Sequence, residues 1–534
     1  SGTKAFLEQV ASNTKDKKSD MSMIGQFGVG FYASFMVADS VEVISKKAGE
    51  EQGWKWSSDG KTGFDLVKTD KETAGTSITL KLKKDAKEFL EETRLQFVVR
   101  KYSDHISYPV KLLEIDKKDA EEKTLNEASA LWTRPSKDIT EEQYQEFFSH
   151  IGAGFGKPLL TMHNNTEGTI SYTNLICIPS TRPFDLFNPD RKSSLKLYIN
   201  RVFITDKCDA LVPSYLRFIK GLVDTQDIDL NVSREMLQNN PAVSKISKSL
   251  VGKILRELKK VSEKNVDGYK SFWKEYGAVL KEGLYEDAER KETLLDLCRF
   301  STNENDEIMS LSSYLEKMPE NQKDIYYISA ETRSQALASP HLEGFKSKNI
   351  PVLIMTDAID QFWLPMIGSF KDKKFTSITQ GQINLDDLDA KNKDKKSDSK
   401  DQKEKQDKEF VDLIAQMKVV LGEQVKDIRL SSKLTDSPVC LVADDGDMDI
   451  AMEQLMAQRD TNYKGAPRIL EINGDHSLIK NMKSLLSKKE NNDLVSDAGT
   501  LLFEQARLLE GKMPADPAQF SKIMNQFLLK AIPE

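Results

Sequence analysis

The chain has 534 residues, 39% of them hydrophobic and 30% charged, with a net charge of −7, which describes a charge-rich globular protein too long for a single core. That balance leaves no basic footprint for nucleic acid, and no apolar run is long enough to span a membrane. Cys177, Cys208, Cys298 and Cys440 are far apart with no C-x-x-C, which predicts reduced, mostly buried thiols and a cytoplasmic, reducing setting.

The five histidines (His105, His150, His163, His341, His476) form no H-x-x-x-H pattern, so no metal ligand is predicted. Ser1 is not an initiator methionine, and Ser1 to Phe6 reads as the middle of an element. The expectation is a trimmed chain, whose targeting signals cannot be judged.

Residues 25 to 31, Gly25-Gln26-Phe27-Gly28-Val29-Gly30-Phe31, place three glycines ahead of a helix-like run from Phe31 to Val37. Glycine reaches φ > 0 and lets successive N–H groups converge on an anion, and a following helix adds the positive end of its dipole. The G-x-x-G-x-G spacing is neither the Rossmann nor the Walker pattern. Two readings stay open: a phosphate loop from another fold, or a tight turn and nothing more.

Val41 to Ile44 and Ser77 to Leu82 alternate apolar and polar residues, as half-buried antiparallel strands do. Leu95, Val98, Val99, Tyr102 and Ile106 follow helical spacing, and Pro109 closes the segment before a short charged linker, 116–123. Leu195 to Asn200 alternates as a strand, and Val202-Phe203-Ile204 carries the apolar character past Arg201. Val243, Ile246, Leu250, Ile254, Leu258 and Val261 then predict one long amphipathic helix.

Residues 391–409 carry no large apolar side chain, so they predict a solvated linker or an exposed helix. Two apolar helices close the chain. Leu494 to Leu509 stripes the first and Gly511 stops it; Asp516 caps the second, with Pro517 in its first position and Phe520, Ile523, Met524, Phe527 and Leu528 on one face. A two-fold four-helix contact with a second copy would cover both faces; docking on the same chain is the alternative.

Taken together, these segments resemble the heat-shock protein 90 chaperone family. Gly25 to Phe31 is similar to its phosphate-side signature, and Ser1-Gly2-Thr3 to the stretch leading into the ATP lid. Leu131-Trp132-Thr133-Arg134 resembles the opening of its middle domain. Asp227 to Leu237 (D-I-D-L-N-V-S-R-E-M-L) resembles that domain's most recognisable motif. The likeness runs on through Leu421 to Asp427 into the last helices. It looks most like the bacterial branch, because the long acidic insert between the first two domains is absent.

The resemblance implies an α/β (α+β) multidomain chain. Residues 1–112 would form the later part of a Bergerat-type ATPase domain, 126–388 an α/β middle domain, and 410–534 an α+β dimerisation domain. It implies an ATP-dependent chaperone, with Mg2+, acting on unfolded or partly folded client proteins as a homodimer. Gln26, Gly28, Val29, Gly30 and Phe31 would wrap the triphosphate, and Thr76 would lie near the adenine. Arg234 would reach the γ-phosphate, with Gln238 one helical turn on.

Residue chemistry agrees on Arg234. Ser233 can cap a helix, and a cation in the first turn opposes the dipole unless an anion arrives; an ordinary ion pair with a neighbouring carboxylate is the other reading. The family's general-base glutamate, magnesium-binding asparagine and adenine-binding aspartate precede the lid and have no match here. The expectation is therefore that this chain alone turns over little or no ATP, and an ATP-independent dimeric binding module is the alternative. A DNA-processing relative of the same ATPase superfamily is disfavoured by the absent basic surface.

Two apolar groups are candidate client surfaces. One is Phe362, Trp363, Leu364, Pro365, Met366 and Ile367; the other is Met448, Met452, Leu455 and Met456. Thioethers repack against varied partners. Core packing is the competing reading for both.

Overall fold

The computed structural model describes residues 30–115, 121–152, 157–188, 191, 194–228, 240–385, 396–460, 463, 465–486 and 492–532. The chain divides into two compact units between Ile254 and Leu255.

The first unit begins with a short helical stretch, Gly30–Ala33 and Ser34–Val37, feeding a four-stranded sheet. Its strands are β1 (Ala38–Lys46), β2 (Gly53–Ser58), β3 (Asp65–Thr69) and β4 (Gly75–Leu82), in the order β3-β2-β1-β4 and antiparallel throughout. Both strands expected from alternation lie here, but β4 is not half-buried as expected: Ile78 and Leu80 are exposed along with most of the strand. Helix α1 (Glu92–Ser103) follows where its spacing predicts a helix, though it ends before Ile106, the last residue of the expected stripe.

Helix α2 (Glu141–His150) starts from a capping box in which Thr140 and Gln143 satisfy each other's backbone. A second sheet holds β5 (Pro158–Thr166), β6 (Tyr172–Pro179), β7 (Ser194–Ile199), β8 (Val202–Thr205) and β9 (Lys220–Thr225). The order is β8-β7-β9-β6-β5, with β7 and β9 parallel. Here the chain does not run straight past Arg201. Asn200 and Arg201 take φ of 51° and 64°, and β8 folds back onto β7 as a hairpin. The Arg201 N–H donates to Asp224 Oδ1 at 3.2 Å, which holds the turn.

Gly221, in the middle strand β9, has φ of +131°, and a Cβ there would sit 2.3 Å from the Leu175 carbonyl oxygen. Gly221→Ala is expected to cost roughly 2–4 kcal/mol through backbone strain and overpacking. Denaturant unfolding followed by circular dichroism measures it, and a loss below experimental error would show that the strand yields freely.

Helix α3 (Pro241–Lys264) is the long helix predicted from its stripe. In the second unit, α4 (Val266–Glu286) precedes a sheet of β10 (Ser301–Thr302), β11 (Ile325–Ser329), β12 (Leu353–Met355), β13 (Ser369–Phe370) and β14 (Lys373–Ser377), ordered β10-β12-β11-β14-β13. Tyr326, Ile328, Phe345, Val352, Ile354 and Ile378 form its core. Helix α5 (Asp360–Ile367) lies between β12 and β13.

Residues 396–421 form one helix, α6 (Lys396–Leu421), so part of the polar segment is helical. Its later turns bury Phe410, Leu413, Met417 and Leu421 at helical spacing. They pack on a sheet of β15 (Val425–Leu430), β16 (Val439–Val442) and β17 (Arg468–Ile472), ordered β15-β17-β16. Helices α7 (Ile450–Arg459) and α8 (Ser477–Leu486) flank β17 in sequence. Helix α9 (Asn492–Leu509) ends before Gly511, whose φ is +78°. Asp516 caps α10 (Pro517–Ala531) by accepting from Ala518 and Gln519. These are the stop and cap that the sequence predicts.

Candidate functional site

Gln26, Gly28, Val29, Arg234 and Gln238 lie outside the described residues. Gly30 and Phe31 are described. Phe31 sets its ring edge-on to Trp56 of β2 at 5.5 Å, which anchors the loop's exit on the first sheet. Gly30 does not use a left-handed φ, and a Cβ built on it would meet nothing within 4 Å. Thr76, on β4, is exposed and its hydroxyl lies 2.8 Å from Ser45 Oγ.

The thiols offer no nucleophile. All four cysteines are free and buried, and burial pushes Cys177 up to about 11 and Cys298 to about 12.

The apolar group at 362–367 separates into core and surface once α5 folds. Trp363 is fully buried, so it is not a client-facing side chain in this structure. Its ring packs against Phe300 and Phe375, and its Nε1–H donates to Asp360 Oδ1 at 2.8 Å. Asp360 is itself buried and faces Lys281 of α4, whose Nζ lies 2.9 Å from both Asp360 and Asp357. Burial disfavours the Lys281 charge, but Asp360 and Asp357 outweigh it and raise its pKa. This cluster fixes α5, leaving Met366 61% exposed and Phe362 partly covered.

The methionine group behaves differently. Met448 precedes the Asp449 cap of α7 and is 40% exposed, while Met452 and Met456 are half-buried along the helix. Ile450 and Gln454 of α7 line a cavity of about 370 Å³ together with His341, Leu441 and Leu508.

A clamp that no sequence pattern reveals joins the second unit's two sheet regions. One carboxylate, Glu343, accepts N–H bonds from Thr435 and Asp436 at 2.8 Å and from Ser437 at 3.1 Å, plus the Ser437 hydroxyl. Burial raises its pKa, but the Ser437, Asp436 and Thr435 hydrogen bonds outweigh that and hold it below the usual range. A depressed carboxylate stabilises above its unfolded pKa of about 4.3 and loses that contribution as pH falls through the folded value. Glu343→Gln is expected to cost about 1–2 kcal/mol at pH 7, discounted for partial exposure. The gap from wild type should close below pH 4 in acid-unfolding curves, and a gap independent of pH would refute the carboxylate's role.

At the chain's end, α10 fully buries only Ile523, while Phe527 packs on the core formed by α6, α8 and α9. Leu508, Leu509, Met513, Met524, Leu528, Leu529 and Ile532 stay exposed, Leu529 by 75% and Ile532 by 73%. These exposed apolar side chains are concentrated at the end of α9 and along α10.

Comparison with known proteins defines the class. The profile of the family described as Hsp90 protein matches residues 113–533. The chain is 46% identical over 534 residues to the chaperone protein HtpG of Roseobacter denitrificans, covering all of this chain and 84% of that protein. It is 47% identical to HtpG of Paramagnetospirillum magneticum and 44% to that of Rhodospirillum rubrum, again across this whole chain and 84% of each relative. The chain belongs to the Hsp90 family, on its bacterial HtpG-like side, and so among molecular chaperones. Members of that family are ATPases. No helix among the described residues is long and apolar enough to cross a membrane.

Proposed function

We propose that this protein works as an ATP-dependent, homodimeric chaperone in the cytoplasm, holding unfolded or partly folded proteins. The observation that carries the reading is the apolar surface left exposed in the second unit of a chain that belongs to this family. Met366, Met448 and the α7 methionines would meet clients, and the free faces of α9 and α10 would meet a second copy.

Bound ATP with magnesium would supply phosphoryl-transfer energy. In this chain, Gln26, Gly28, Val29, Gly30 and Phe31 would hold the phosphates through backbone N–H groups, Thr76 would lie near the base, and Arg234 would offset phosphate charge beside Gln238. The family's general-base glutamate and magnesium-binding asparagine have no match in these residues, so the 534-residue chain by itself should hydrolyse little or no ATP. Magnesium-dependent phosphate release by the purified chain, abolished in Arg234→Ala, would overturn that part of the reading.

The client assignment is tested at the surface. Because Trp363 is core, the informative variant is Met366→Ser with Met452→Ser, assayed for suppressing aggregation of a chemically unfolded substrate. Suppression should fall while circular dichroism stays unchanged; full suppression would remove these residues from the client surface.

A further inference from the structure

The end of α1 and the end of α2 converge on a group of side chains that the chaperone reading leaves unused. Asp104 follows the last residue of α1, His105 is next to it, and Glu127 comes from the connection leading to Trp132. One donor atom from each of these three lies within 4.8 Å of the others. His150, the last residue of α2, stands at the edge of this group rather than within its 4.8 Å spacing, its Nε2 3.8 Å from Asp104 Oδ2.

The scaffold around them is braced. Asp104 Oδ1 accepts the Glu127 N–H at 3.1 Å, and the Asp104 carbonyl accepts the Ala128 N–H at 3.1 Å. Asn126 ties the same corner together, accepting from Val110 N–H at 2.7 Å and donating to the Tyr108 carbonyl at 3.0 Å. His105 Nδ1 lies 3.1 Å from the Ser129 carbonyl, which can only accept, so Nδ1 carries the proton and Nε2 keeps its lone pair. A histidine oriented through one nitrogen by a backbone carbonyl is the arrangement that metal-ligating imidazoles use. Its ring is also held edge-on by Trp132 at 4.6 Å. Two helix C-termini, each the negative end of a dipole, add a field that favours a cation.

We propose that Asp104, His105 and Glu127 form the core of a binding site for a divalent transition-metal ion of the zinc class, with His150 swinging in from beside Asp104 as the fourth ligand. Two imidazoles with two carboxylates suit zinc and its neighbours better than calcium or magnesium, which prefer oxygen alone. Bound metal would cross-link the ends of α1 and α2. His105 and His150 stand far apart in sequence, which is why spacing rules predict no ligand here.

The test uses the full chain, freed of metal with a chelator and dialysed, then titrated calorimetrically with zinc chloride. Cobalt(II) chloride is titrated in parallel and followed by visible absorption. One zinc per chain is expected at micromolar concentration, with cobalt bands typical of four or five nitrogen and oxygen ligands. His105→Ala, and the surface variants Glu127→Gln and His150→Gln, should each weaken zinc by at least about tenfold. The two surface variants keep the test valid should His105→Ala disturb folding. His163 serves as an internal control, since its ring is already held by Tyr144 and the Trp132 carbonyl. No saturable zinc binding by the wild type, or wild-type affinity in all three variants, overturns the proposal.

Discussion

Leu528→Asp combined with Leu529→Asp is expected to convert the protein from dimer to monomer at low micromolar concentration. Light scattering after size exclusion would read a mass near the 60.4 kDa of one chain in place of twice that. The reasoning starts from α10, whose stripe of apolar residues is wider than one contact can bury. Ile523 and Phe527 use the inner side, and Met524, Leu528, Leu529 and Ile532 remain outside. A two-fold axis would pair this face and the exposed end of α9 with their own copies, so each substitution acts twice per dimer. Placing four carboxylates in an apolar contact should cost well over 3 kcal/mol, which is more than about a hundredfold in the dissociation constant. Leu528 is about half and Leu529 three-quarters exposed within one chain, so the monomer fold should survive with an unchanged far-UV circular dichroism spectrum, while the thermal transition falls and loses its dependence on protein concentration. A persistent dimer with unchanged dissociation constant would show that other surfaces hold the copies together.

The second large effect concerns stability. Lys281→Met should cost about 3–5 kcal/mol, because it leaves Asp360 buried without its counter-charge. The methionine fills the lysine's volume, so a cavity is not the cause. Two companion measurements separate charge from packing. Adding Asp360→Asn to Lys281→Met should recover much of the loss, since the amide oxygen still accepts the Trp363 N–H. Lowering the pH should also stabilise Lys281→Met relative to wild type, as the isolated Asp360 carboxyl protonates. Tryptophan fluorescence on urea unfolding would follow both. If neither the double variant nor acid helps, the lysine acts through its stem and its contact with the Phe300 ring at 4.8 Å, not through its charge.

Much of this architecture is legible along the chain. The strands around Val43 and Ile78 follow from alternation, α3 follows from apolar residues three and four apart, and Gly511, Asp516 and Pro517 mark where α9 stops and α10 starts. The β7–β8 hairpin is less legible. Asn-Arg is a poor turn signal, and what holds Arg201 at positive φ is Asp224 on a neighbouring strand. Trp363 is the plainest example of the limit. A dense apolar run reads equally well as surface or core, and only the Lys281–Asp360 pair beneath it decides that the indole points inward.

The residues alone therefore settle the strongly periodic helices and strands, the stop and cap between the last two helices, and to which family of chaperones the chain is kin. Those properties depend on periodicity and capping within a few positions. Which side of an apolar stripe is buried, which lysine meets which aspartate, and where two histidines converge depend on residues that touch only after folding. Lys281 and Asp360 are 79 positions apart, and Glu343 reaches Ser437 across 94. No local pattern carries such distances, because burial and charge pairing are properties of space and not of order along the chain.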